Sequence, residues 1–449
     1  MQTEPPAAPD IAAGRLDPAS LARNFADIHP PLTRDQAVVE ANRCYFCHDA
    51  PCVEACPTAI DIPGFIRKIG SGNLRGSALR ILEANIFGGT CARVCPTEIL
   101  CEGACVRMAE EGRPVQIGAL QRHATDWLME REPTPFLRAP PTGRQIAVIG
   151  AGPAGFSAAH RLARYGHDVT VFDAREKPGG LNEYGIAAYK LPDDFAQREL
   201  SWLLAIGGIA VRQGTLGADL HLGAVREKFD AVFVGVGLAG VRALGIEGET
   251  LLGVRDAVDF IAELRQAPKH AVAVGRRVVV IGGGNTAIDA ATQSKRLGAE
   301  IVTIVYRRGP ENMSATGAEQ EWAQNNGVLI RHFAAPLRLL GDAGHVTGVE
   351  FLRTFPNGSG PAVPAGKKFV LEADMVLKAV GQIFAPGSLS LAVEGGRIAV
   401  DAERRTALPG VWAGGDCIAG QDLTVAAVQD GKIAAESIHR ALTGDPNHD

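Results

Sequence analysis

Eight of the nine cysteines fall between Cys44 and Cys105. They stand as Cys44-x2-Cys47-x4-Cys52-x3-Cys56-Pro57 and as Cys91-x3-Cys95-x5-Cys101-x3-Cys105. Thiolates are soft and charged, so they suit iron in sulfide clusters and offset the positive iron core. A close run supplies only part of such a shell before backbone geometry runs out, and a partner from elsewhere in the chain completes it. Structural zinc and buried free thiols are the other readings, although zinc sites favour two CxxC pairs. A disulfide framework fits less well, because the cysteines are confined to one segment and no secretory signal precedes them.

Two glycine patterns point to nucleotide chemistry. In IAVIGAGPAGFSAAHRLARYG, Gly150, Gly152 and Gly155 follow an apolar strand directly, with Pro153 and Ala154 opening a helix. Gly150 allows the tight turn, Gly152 lets backbone amides reach a pyrophosphate, and Gly155 allows close helix–strand contact. The next strand, DVTVFD, ends in Asp173, where a carboxylate accepts ribose hydroxyls. The second pattern, RRVVVIGGGNTAIDAA, places Gly282, Gly284 and Ala287 in the same frame, with Asn285 and Thr286 at the helix start. After its following strand, IVTIVYRRG, the chain carries Tyr306, Arg307 and Arg308 where an NAD site would carry an acid. Guanidinium groups bind a 2′-phosphate bidentately, so this site leans to NADPH. Plain surface arginines are the alternative, and NADH stays open. Cys417, beside Asp416, has no CxxC partner and reads as a buried bystander.

These residues need elements to hold them. The chain has 449 residues, too many for one ordinary core. Hydrophobic residues make up 46% and charged residues 21%, the balance of a globular protein. The 53 glycines exceed what loops alone need and mark close backbone approaches. The net charge of −5 gives no basic footprint for nucleic acid. No apolar run reaches membrane-span length, and the N-terminus lacks the regions of a signal peptide, so a cytoplasmic location is expected. Amphipathic runs such as IPGFIRKI and LRGSALRILEANIF separate the cysteines and predict helices. The proline-rich stretch EPTPFLRAPPTGR then marks a boundary.

The expected fold class is α/β with an N-terminal α-helical iron–sulfur domain and two Rossmann-like dinucleotide-binding domains, the second inserted into the first. The boundaries expected are 1–138 for the helical domain, 139–237 with 382–449 for FAD, and 238–381 for NAD(P)H.

The segments CHDAPCVEACPTAIDI, CARVCPTEILCEGAC and IGALQRHATDW resemble the N-terminal cluster domain of dihydropyrimidine dehydrogenases. They are similar, at the same spacing, to the small subunit of glutamate synthase. In the dihydropyrimidine dehydrogenase family one cluster is held by three cysteines and a glutamine. Carried over by position, the resemblance assigns Cys44, Cys47, Cys52 and Cys105 to one 4Fe-4S cluster. Cys56, Cys95, Cys101 and Gln121 would hold the second, with Cys91 packed nearby outside the shell. A neutral oxygen ligand leaves one less negative charge around the iron and shifts its potential. Glutamate synthase small subunits usually carry glutamate at that place, whereas here the text is Ile117-Gly118-Ala119-Leu120-Gln121.

The loops Lys177-Pro178-Gly179-Gly180-Leu181 and Tyr189-Lys190-Leu191-Pro192 resemble the flavin side of this oxidoreductase group. The resemblance brings Gly180, Leu181, Lys190 and Leu191 to FAD. The C-terminal GVWAGGD resembles the second FAD motif: Gly415 forms the turn, Asp416 binds a ribityl hydroxyl, and the helix from Thr424 aims its amides at the flavin ring.

The three kinds of carrier have a natural order. A nicotinamide gives a hydride, a flavin accepts the pair and releases electrons singly, and clusters carry one at a time. Direct hydride transfer needs no acid–base side chain, so no catalytic residue is expected; binding geometry does that work. The family's FMN barrel has no counterpart in these residues. The resemblance therefore implies the electron-input subunit of a two-subunit bacterial dihydropyrimidine dehydrogenase. Its partner, an FMN-containing and iron–sulfur-containing catalytic subunit, would reduce uracil or thymine. Bacterial members are often NADH-linked. The rival readings are a glutamate synthase small subunit, a stand-alone reductase serving ferredoxin, and a non-enzymatic redox sensor.

Overall fold

The computed structural model describes residues 7–357, 360–385, 387 and 389–444. The chain divides into two compact units. One runs from His29 to Glu183, from Asp193 to Gly240, and from Ile383 onward. The other joins the residues up to Ile28, Tyr184–Pro192 and Val241–Gln382.

The larger unit begins with short helices, and their starts are written in the sequence. Thr33 and Gln36 form a reciprocal capping box on Arg34–Ala41. Asp61 accepts from Gly64 N at 2.9 Å ahead of Ile62–Gly70, and Asn73 accepts from Gly76 N at 2.9 Å ahead of Leu74–Ala84. Ile62, Phe65, Ile66 and Ile69 recur at helical spacing and are all buried. Each such side chain contributes about 1.5–3 kcal/mol on burial. In Ile117–Met129 the buried stripe is Ile117, Leu120, Ala124 and Leu128, and Gln121 lies on the same side.

The rest of this unit is a parallel five-stranded sheet. Its order is Val411–Ala413, Ala231–Val234, Gln145–Ile149, Asp168–Asp173, Ile209–Gln213. Ile146 to Ile149 are buried throughout, the continuous apolar run of a sheet covered on both faces. The chain leaves after Ala231–Val234 and returns as Val411–Ala413, paired parallel to it. Helix Pro153–Arg164 lies against the long helix Thr424–Thr443. Their contact is backbone-close: a Cβ on Gly431 would stand 2.1 Å from the Ala154 carbonyl oxygen, and Ser157 Oγ donates to Val428 O at 2.6 Å.

The second unit holds another parallel five-stranded sheet, ordered Val254–Asp256, Met375–Ala379, Arg277–Gly282, Ile301–Val305, Leu329–Arg331. Helix Asn285–Arg296 follows its central strand. A three-stranded antiparallel sheet, Ala334–Asp342, His345–Asn357 and Gly360–Glu372, is added to this fold. Among the described residues, no helix is long and apolar enough to cross a membrane.

Candidate cofactor sites

The helices gather the cysteines around two cavities. Cys44, Cys47, Cys52 and Cys105 line one, together with Ile62 and Ile66. Cys56, Cys95, Cys101 and Gln121 line the other, and Cys91 and Asn85 border the same space. All nine cysteines are free thiols. Among the described residues, no three His, Cys, Asp or Glu side chains converge closely enough to hold a single metal ion.

The electrostatics fit a positively charged guest. Burial, with neighbouring Cys105 and Cys44, pushes the Cys52 thiol up to about 12. Burial likewise raises Cys44 and Cys101. Thiols so placed ionise only beside compensating positive charge, which an iron core provides.

Gln121 is 7% exposed, and its Nε2 donates to Gly88 O at 2.7 Å. That bond assigns the amide and leaves Oε1 as its acceptor atom. Gly88 opens helix Gly88–Val94, whose start is further held by Glu199: Gly89 N donates to Oε1 at 2.9 Å and Thr90 N at 3.1 Å. Thr90 Oγ1 also donates to Glu199 Oε2. Nothing in the local sequence signals a carboxylate arriving from so far along the chain.

The first glycine turn has the shape that a pyrophosphate requires. Gly150 sits at φ +107°, and a Cβ there would meet Gly235 O at 2.3 Å. A Cβ on Gly155 would lie 1.9 Å from Gly150 O. At Gly152, by contrast, nothing comes within 3.9 Å, so its missing side chain serves access rather than packing. Pro153 and Ala154 begin the helix, and no side chain caps it. Gly180 crosses over this turn, with Gly179 N donating to Ala151 O at 2.8 Å. Asp173 Oδ2 accepts from Ala151 N at 2.7 Å and Oδ1 from Arg175 N at 2.8 Å. Leu181 is exposed.

From the C-terminal end, Gly415 N donates to Asp430 Oδ2 at 2.9 Å. Burial and nearby Asp422 raise the Asp416 carboxyl to about 6. Thr424 Oγ1 donates to Asn182 Oδ1 at 3.0 Å, joining the helix start to the Gly180 loop. Val425, one residue further on, lines the Gln121 cavity. Cys417 is fully buried, with its thiol donating to Gly414 O at 3.3 Å.

Lys190 and Leu191 fall in the second unit. Lys190 Nζ stands 2.8 Å from Asp289 and 2.7 Å from Glu319, and Leu191 O accepts from Arg265 at 2.7 Å. Burial opposes the Lys190 charge, but Asp289 and Glu319 outweigh it and raise its pKa. In the same unit Gly282 could not carry a Cβ, which would meet Ala379 O at 2.2 Å. Gly284 caps the helix, Asn285 is exposed, Thr286 is half-buried, and Ala287 is buried. Arg307 is exposed; Arg308 is half-buried, with its Nε buried and lacking a hydrogen-bond partner. A buried unpaired guanidinium N–H is costly, and an anion would satisfy it.

A helical thiol-rich domain carried in one chain with two parallel-sheet dinucleotide folds defines an electron-transfer oxidoreductase of the iron–sulfur, FAD and NAD(P)H kind. Residues 21–133 match the family described as dihydropyrimidine dehydrogenase domain II, 4Fe-4S cluster. Residues 144–431 match the pyridine nucleotide-disulphide oxidoreductases, and the chain belongs to that family. It is 34% identical over 424 residues to the NAD-dependent dihydropyrimidine dehydrogenase subunit PreT of Escherichia coli, covering 94% of this chain and 98% of that protein. It is also 34% identical over 441 residues to the Escherichia coli glutamate synthase (NADPH) small chain, covering 92% and 93%. The fold is shared with Mycobacterium tuberculosis FprA in complex with NADPH: 22% identity, TM-score 0.55, and 68% and 85% coverage.

Proposed function

We propose that the chain is the electron-input subunit of a two-subunit dihydropyrimidine dehydrogenase in the cytoplasm. Its partner would be an FMN-containing, iron–sulfur-containing catalytic subunit that reduces uracil or thymine. When bound, the nicotinamide supplies an electron pair, FAD divides it, and two 4Fe-4S clusters carry single electrons.

The chain's own residues bind and orient these groups. Cys44, Cys47, Cys52 and Cys105 hold one cluster; Cys56, Cys95, Cys101 and Gln121 hold the other. Gly150, Gly152, Gly155, Asp173, Gly180, Asp416 and Thr424 seat FAD; Lys190 and Leu191 join this reading by resemblance alone. Gly282, Gly284 and Ala287 seat the second dinucleotide, and Arg307 and Arg308 favour the 2′-phosphate of NADPH over NADH. The division into residues 1–138, 139–237 with 382–449, and 238–381 belongs to the same reading.

Identity alone does not choose between the two relatives, which stand equally near at 34%. The observation that carries the choice is Gln121, anchored through Nε2 to Gly88 O beside three cysteines. A glutamate there would turn a carboxylate oxygen toward that carbonyl, which repels it unless it is protonated.

The test is anaerobic purification with whatever large subunit accompanies the chain, followed by uracil-dependent oxidation of NADPH and NADH. Turnover that requires the partner supports the proposal, and the nucleotide preferred tests the arginine argument. Turnover with glutamine and 2-oxoglutarate, but not uracil or thymine, would transfer the chain to the glutamate synthase reading.

A further inference from the structure

Asn85 ends helix Leu74–Ala84 and is wholly buried on the border of the Gln121 cavity. Its Oδ1 accepts from Phe87 N at 3.0 Å. Because a backbone N–H can only donate, that bond fixes which amide atom is oxygen and which is nitrogen. The remaining atom, Nδ2, is buried and has no hydrogen-bond partner. An unpaired amide donor in a protein interior is unfavourable and uncommon, so it calls for an acceptor. The other polar or sulfur-bearing side chains around the space are Cys56, Cys91, Cys95, Thr97, Cys101 and Gln121. None of these is an acceptor for Nδ2 in this structure.

We infer that Asn85 donates an N–H···S hydrogen bond to the sulfur of the cluster held by Cys56, Cys95, Cys101 and Gln121, and thereby raises that cluster's reduction potential. This rests on the two-cluster reading above. The physical reason is charge. One-electron reduction makes the cluster more negative, so a fixed donor stabilises the reduced state more than the oxidised one. Gln121 acts in the same direction, since a neutral ligand leaves less negative charge to overcome. Asn85 is a positioning and tuning residue here. It takes no part in the chemistry, and its donor is held in place by Phe87 before any electron arrives.

The test uses the full chain, anaerobically loaded with iron and sulfide, and an EPR-monitored redox titration. Asn85→Leu and Asn85→Ala remove the donor without adding charge. Each should lower one of the two midpoints, changing the oxidised-to-reduced ratio at fixed potential about tenfold, which is about 59 mV for one electron. The second midpoint and the iron content should stay put, which a general loss of structure would not allow. Iron-replete variants with both midpoints unmoved would overturn the inference. Should the variants lose iron, the unsubstituted chain labelled with 15N in asparagine side chains decides. A nitrogen hyperfine coupling in the reduced-cluster spectrum supports the hydrogen bond, and its absence refutes it. A wild-type chain that takes up no iron would instead sink the cluster reading beneath the inference.

Discussion

Gln121 and Gly88 are joined by a 2.7 Å hydrogen bond from the side-chain Nε2 to the carbonyl oxygen. The bond ties helix Ile117–Met129 to the start of helix Gly88–Val94, which also carries Cys91. Cys91 and Gln121 are therefore rivals for one place, since both border the cavity of Cys56, Cys95 and Cys101. Ligation by Gln121 predicts that Gln121→Leu loses about half the iron, that of one cluster in two. Cys91→Ala should keep all of it. Iron and acid-labile sulfide assays on the two variants measure this directly, and the reverse pattern would make Cys91 the fourth ligand.

Arg308 carries the nucleotide prediction. Its buried, partnerless Nε stands two residues beyond Tyr306, past the end of strand Ile301–Val305. A charged hydrogen bond to a phosphate contributes about 1.5–3 kcal/mol. Arg308→Ala should therefore raise the KM for NADPH by about 10-fold or more, while changing that for NADH by no more than about twofold. Steady-state diaphorase assays with both nucleotides read the difference. Equal losses with NADPH and NADH would mean that Arg308 supports the loop and does not read the 2′-phosphate.

The sequence displays local chemistry and hides contacts made at long range. Cysteine spacing, the Gly150–Gly155 turn and the Gly282–Ala287 turn are legible because each is a short run whose backbone demands are fixed by the run itself. The apolar face of Ile62–Gly70 is legible because its period matches the helix. Glu199 is not, because its partners Gly89 and Thr90 lie about a hundred residues earlier, on another element. Lys190 reads as a flavin-loop residue by resemblance, yet its charge is met by Asp289 and Glu319, which only the fold brings near. The three-stranded sheet from Ala334 to Glu372 escapes for a related reason. Bulges at Pro336/Arg338 and Leu352/Thr354 break the alternation that would announce it.

Glu199 gives a pH prediction with a definite sign. Burial raises its carboxyl to about 7 despite hydrogen bonds from Thr90 and Gly89 that favour the anion. The folded chain therefore holds a proton that the unfolded chain has released between the ordinary value of 4.5 and about 7. Stability from this group is complete below 4.5 and is lost as pH rises through that window, by about 3 kcal/mol. Glu199→Gln stays neutral throughout and should flatten the decline. Urea unfolding of both proteins at several pH values tests it. Parallel stability curves would mean that the carboxylate is already ionised in the fold at low pH, held by its donors.

Gly431 ties helix packing to the flavin seat proposed above. Alanine favours a helix over glycine by about 1 kcal/mol, so Gly431→Ala in Thr424–Thr443 would ordinarily stabilise. Here the new Cβ would stand 2.1 Å from Ala154 O and 2.9 Å from Ala158 N, and neither backbone atom can turn aside. The helix must back away from Pro153–Arg164, which strains the Ser157–Val428 bond of 2.6 Å. Overpacking of this kind costs about 1–3 kcal/mol or more, so the net effect should be destabilising. The same displacement moves Thr424 from Asn182, and with it the helix start that the proposal places at the flavin. A lower melting temperature and a reduced FAD-to-protein ratio, with iron retained, are expected together. If the variant melts early but keeps its flavin, the helix start does not help to hold the ring. If it does neither, the two helices have room to part that the backbone contacts deny.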